Sequence, residues 1–185
     1  MLRRALSKWT EVTHRPGYAW VVMAMGFLAV FGAIGLGRFG YSAILPEMQT
    51  QLGLSGSQAG GLASWNLAGY VVLAVIGGVL ATRFGVRLMV SIGVAVATVG
   101  MAVTGFADGV GTASVARLLT GFGGGLVLVP STALMSAWFP RRRRGLASGI
   151  VSSGMALGLI VSGPLVPRII GAGGDDGWRM AWFTL

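Results

Sequence analysis

Two arginines, Arg38 and Arg117, lie inside long apolar stretches that hold no other charge. A helix centred near Phe31 puts Arg38 seven residues beyond its midpoint, and one centred near Gly124 puts Arg117 seven residues from its own. The two helices would run in opposite directions. At 1.5 Å per residue both guanidinium groups then sit roughly 10 Å from the centre of a bilayer, on the same side. A charge at that depth is unfavourable unless it meets water or a partner. Snorkelling of each long stem to the headgroups is one solution. The other is a shared central cavity, where two cationic forks hold a carboxylate or phosphate. The second solution points to an anionic substrate, and the residues alone leave both open.

Neutral polar groups could join such a cavity: Tyr41, Ser64, Asn66, Tyr70, Ser131, Thr132, Ser152 and Ser153. For most of the hydroxyls the simpler reading is a bond to their own helix or to a neighbouring one. Asn66 stands out, because its amide needs several partners. Trp65, Trp178 and Trp182 read as interface anchors rather than ligand platforms.

Catalysis finds little support. The only His is His14, near the N-terminus, and there is no Cys. No cluster has metal-ligand spacing, and no Ser within the apolar stretches has a visible base. No cofactor or metal is expected, and the protein is not expected to be an enzyme. Asp and Glu are also missing from the stretches, so proton coupling would need an acid from elsewhere.

The elements that must position these residues follow from composition. The chain has 185 residues, of which 54% are hydrophobic and 10% charged, with 32 Gly. That excludes an ordinary soluble domain and a disordered one. Charge-free blocks run over 18–37, 48–82, 88–107, 118–139 and 145–167, and a sixth opens at Trp178. A spanning helix needs about 20 apolar residues, and long unalternating blocks are helices rather than barrel strands. The expected helices are 18–45, 57–81, 88–107, 112–137, 146–169 and 178 onward, with breaks at Pro46, Asp108-Gly109, Pro140 and the GAGGDDG link at 171–177. The first apolar run is longer than the core of a signal peptide, so it reads as a retained helix.

Charge sets the orientation. Alternating connections put Arg3, Arg4, Lys8, Arg15, Arg83, Arg87 and Arg141 to Arg144 on one side. Glu47, Asp108, Asp175 and Asp176 fall on the other, with Arg168 and Arg179. The basic side is expected to be cytoplasmic, with the N-terminus. Residues 1–17 then form a cytoplasmic tail and 18–185 the transmembrane bundle. The basic run at 141–144 reads as a topology signal, and no nucleic-acid partner is expected. Helices 1 and 4 each pair a Gly cluster with an Arg at matching depth, as an inverted three-plus-three repeat would.

These features resemble the N-terminal six-helix half of a major facilitator superfamily transporter. GVLATRFGVR at 78–87 is similar to the family's loop pattern G-x-x-x-D-R-x-G-[RK]-[RK] at Gly78, Arg83, Gly85 and Arg87. Thr82 replaces the acid, and Val86 replaces a basic residue. RLLTGFGGG at 117–125 is similar to the family's R-x-x-x-G-x-G, and WFPRRRRGLASGIVSSGMALG at 138–158 to its link into helix 5. Gly154, Gly158, Gly163 and Pro164 partly resemble the helix-5 pattern of antiporters, and Trp178-Arg179 resembles the usual entry to helix 6. GRFGYSAILPEM at 37–48 also resembles a bacterial YbfB-like branch. The resemblance implies an all-α membrane bundle, five full helices and the start of a sixth, cut short of its C-terminal half.

The expected function is transport of a small solute, with an organic anion favoured, by alternating access across the bacterial plasma membrane. Helices 1 and 4, and to a lesser degree 2 and 5, would line the cavity. Arg38 and Arg117 would hold the anion, with Asn66 and Tyr41 adding hydrogen bonds. Gly78, Arg83, Gly85 and Arg87 would form part of a cytoplasmic gate. The expected partners are the solute, the lipid bilayer and the missing C-terminal half. The alternatives are a non-transporting membrane fragment and, more remotely, an intramembrane enzyme.

Overall fold

The computed structural model describes residues 17–185, without the side chain of Asp175. The basic residues of the first sixteen positions, and His14, lie outside the described residues. Among those described there is no strand. Five helices are long and apolar enough to cross a membrane. Helix α1 spans Tyr18–Gln51, α2 Gly56–Phe84, α3 Val86–Gly105 and α4 Val110–Trp138. A 3-10 turn at Arg141–Arg143 leads into α5, Arg144–Gly173, and a second at Gly174–Asp176 into α6, Gly177–Thr184.

Three boundaries differ from the sequence reading. Helix α1 passes through Pro46 and ends at Gln51. Proline removes the bond to the carbonyl four residues back, here Ser42. Both residues are exposed, so no buried carbonyl is left unpaired. Helix α5 runs through Pro164 and Pro167 to Gly173, which shortens the expected polar link to one 3-10 turn. Third, α1 is not uniformly α-helical: Phe31–Phe39 forms a π-helical stretch.

Glycine sets the spacing of the bundle. In a bilayer, helices associate through close packing rather than through hydrophobic exclusion. Gly121 of α4 lies against the Asn66 backbone of α2, and Gly123 of α4 lies against Gly93 and Ala97 of α3. The run after Arg117 therefore gives α4 small residues toward both neighbours, and α4 packs most extensively on α2 and α3. The π-helical stretch of α1 packs chiefly on α5, where Gly35 and Gly158 meet backbone to backbone. Exchanging the first three helices with the last three converts the α1·α5 pair into α4·α2, so the packing follows the three-plus-three pattern.

The two ends of the bundle differ in charge. At one end Arg87 donates to the Tyr18 hydroxyl at 2.9 Å, and the Tyr18 ring meets Trp138 at 5.4 Å. This end also holds Arg83 and the 141–144 turn. At the other, Arg179 reaches the Gly105 carbonyl at 2.9 Å and the Asp108 carboxylate at 3.2 Å.

Candidate functional site: a cavity with two arginines

Arg38, Tyr41, Asn66 and Arg117 line one cavity of about 330 Å³, together with Ser42 and Ser64. Its walls come from α1, α2 and α4. Helix α5, expected as a lesser contributor, adds no lining residue here; its Gly154 and Gly158 instead meet the back of the π-helical stretch. The distance from α4 to α2 is set by Gly69 and Gly121, where a methyl group would overlap the backbone of the opposite helix.

The two arginines differ in setting. Arg117 is 1% exposed. One terminal N–H donates to the Gly37 carbonyl at 2.8 Å. Its guanidinium lies 4.4 Å from the Tyr41 ring centroid and 5.5 Å from that of Trp182. Aromatic faces attract a cation electrostatically, so the charge is held in a box of two rings and a carbonyl. Its Nε has no hydrogen-bond partner. Arg38 is half-buried and lies 5.1 Å from the Tyr70 ring centroid. No hydrogen bond or ion pair holds it among the described residues. It is the mobile cation of the cavity, and Arg117 the fixed one.

Asn66 is 1% exposed. Its amide nitrogen donates to the Arg117 backbone carbonyl at 3.0 Å. A carbonyl can only accept, so the side chain's orientation is set and Oδ1 points elsewhere. That oxygen has no partner. Tyr41 is buried and donates to the Ala59 carbonyl at 3.0 Å, tying α1 to α2.

The remaining polar candidates divide. Tyr70 lies beneath Arg38. Ser131 is buried beside a separate cavity of about 380 Å³ near Tyr18 and Arg87. Thr132 and Ser153 donate to carbonyls of their own helices, which satisfies them locally. Trp65 is half exposed, but Trp178 and Trp182 are buried, not interfacial. The Trp178 indole donates to Gln51 at 2.9 Å, and Trp182 stacks on Tyr41 at 6.5 Å. Trp182 is the site residue that sequence reasoning missed, because a Trp near a helix start reads the same whether it anchors in lipid headgroups or packs inward.

The loop motif lies at the opposite end of α2 from this cavity. Gly85 caps α2 with φ of 90°, in the region that favours glycine. Arg83 is exposed beside Phe84, Arg87 bonds Tyr18, and Gly78 faces Val129 of α4.

A family model for the Major Facilitator Superfamily matches residues 27–185. The chain belongs to this superfamily. As a Major Facilitator Superfamily member with five apolar helices of spanning length, it is a multi-pass membrane protein. It is 31% identical over 144 residues to the hexuronate transporter of Bacillus subtilis, which covers 77% of this chain and 34% of that protein. It is 30% identical over 167 residues to the probable sulfoacetate transporter SauU of Cupriavidus necator, covering 88% and 37%. It is 32% identical over 137 residues to the probable anion transporter 3 of Arabidopsis thaliana chloroplasts, covering 73% and 27%. The chain thus spans about a third of the length of the curated relatives it matches. Family and relatives point to a transporter rather than an enzyme.

Proposed function

We propose that this chain is the N-terminal half of a secondary carrier that moves a small organic anion by alternating access. The observation that carries the reading is the cavity itself. Two guanidinium groups line it, and no carboxylate does. Such a site attracts anions and repels cations, and a fork of N–H donors suits a carboxylate. Relatives named for hexuronate, sulfoacetate and anions support the same class of solute.

In this reading Arg38 takes the anionic group, Arg117 fixes the local field, and Tyr41 and Asn66 shape the pocket. The site lies toward one end of the bundle. Gly78, Arg83, Gly85 and Arg87 then belong to a gate at the other end, and rocking of the two halves exposes the site alternately. The basic end faces the cytoplasm of a plasma membrane, following the positive-inside rule. Residues 1–17 form a cytoplasmic tail, and the C-terminal half is the partner that completes the site. The test is counterflow in vesicles holding the full-length gene product. Saturable uptake that small carboxylates inhibit and neutral analogues do not is the expected result. Uptake insensitive to every carboxylate would refute the reading.

A further inference from the structure

The neutral polar groups of the cavity have spent their protons on backbone carbonyls. Tyr41 donates to Ala59 at 3.0 Å, Ser42 to Phe39 at 2.7 Å, and Ser64 to Gly60 at 3.1 Å. Asn66 anchors its amide nitrogen on the Arg117 carbonyl at 3.0 Å. A hydroxyl has one proton and two lone pairs. What these three hydroxyls keep for a ligand is therefore acceptor capacity. Asn66 adds Oδ1, a buried acceptor with no partner. A buried polar atom without a partner is uncommon in a native fold and asks for an explanation. The charged donors come from the arginines. Arg117 is engaged with Gly37, which leaves Arg38 as the group best placed to bind an anion.

The complement of this pattern has one acceptor-only anionic head and a body that carries hydrogen-bond donors. An ammonium group is a poor donor here, because two arginines and no carboxylate line the cavity. Hydroxyl groups fit. A volume of about 330 Å³ lies at the small end of ligand sites, which suits a metabolite of a few carbons. We propose that the site selects hydroxylated carboxylates over their unsubstituted counterparts, with Asn66 Oδ1 accepting from a substrate hydroxyl. This rests on the anion-carrier reading and adds a second requirement to it. Discrimination of this kind can be large, since an analogue without the hydroxyl leaves the buried acceptor unpaired.

The test is calorimetric titration of the full-length gene product in detergent with three probes. Gluconate carries both features, hexanoate the carboxylate alone, and sorbitol the hydroxyls alone. Gluconate should bind at least about tenfold more tightly than either of the others. Asn66→Ala should weaken gluconate by about that factor, bringing it close to hexanoate. Equal binding of gluconate and hexanoate overturns the hydroxyl requirement and leaves the anion reading standing. Equal binding of gluconate and sorbitol overturns the anion reading beneath it. No gluconate binding at millimolar concentration overturns the proposal too. The wild-type series needs no variant to fold.

Discussion

Arg117 donates to the carbonyl of Gly37 at 2.8 Å and so ties α4 to the π-helical stretch of α1, across eighty positions of sequence. The bond turns the deepest charge in the bundle into a structural fixture. It leaves Arg38, the residue that follows Gly37, as the cation with freedom to move.

The first expectation is a difference in stability between the two arginines. Arg117→Ala removes a hydrogen bond to a charged group and leaves the Gly37 carbonyl buried without it, a loss of about 1.5–3 kcal/mol. Arg117→Lys recovers only part, since an ammonium group lacks the planar fork that lies over Tyr41 and Trp182. Arg38→Ala, with no hydrogen bond to lose, should cost less than about 0.5 kcal/mol. Melting of the detergent-solubilised protein reads this directly. Equal losses for the two Ala variants would contradict the division of roles.

The same contrast explains what the sequence made legible. Depth counting found Arg38 and Arg117, and the need of an amide for partners singled out Asn66; all three line the cavity. Charge-free blocks located the long helices, because a lipid environment leaves little choice of structure. The misreadings arose where tertiary context decides. Pro46 signals a break, yet α1 continues because the lost bond lies at an exposed edge. Trp182 looked like a headgroup anchor, and only its stacking on Tyr41 reveals a wall of the arginine box. The glycines at 32, 35 and 37 implied close packing, but nothing in their spacing announced a π-helical turn.

Backbone contact between α1 and α5 predicts a sharp glycine dependence. A methyl group at Gly158 would overlap Gly35, whereas one at Gly163, on the same helix, would meet nothing within 4 Å. Gly158→Ala should cost about 1–3 kcal/mol through overpacking. Gly163→Ala should stay within about 0.5 kcal/mol. Thermal melts of the pair check this, and equal behaviour would refute the close approach.

Chemical labelling should separate the two cations. Phenylglyoxal needs access to the guanidinium. Arg38 is half-buried at the cavity, while Arg117 is 1% exposed. Peptide mass spectrometry should find Arg38 modified well before Arg117. Modification of Arg117 at the same rate would mean that the aromatic box is open.

The orientation can be mapped on a clean background, because the chain has no Cys. In intact cells, a membrane-impermeant thiol reagent should label Asp108→Cys and leave Arg142→Cys untouched until the cells are opened. The reverse pattern would invert the assigned topology.

The most direct measurement is uptake of a labelled carboxylate by vesicles holding the full-length protein, its Arg38→Ala variant or its Arg117→Ala variant. Loss of a charged partner in a ligand site typically costs 2–5 kcal/mol. Arg38→Ala should therefore lower kcat/KM by at least about 30-fold, mainly through KM, and Arg38→Lys should restore part of it. Unchanged uptake of every accepted solute in both Ala variants would contradict an anion site built on these two arginines.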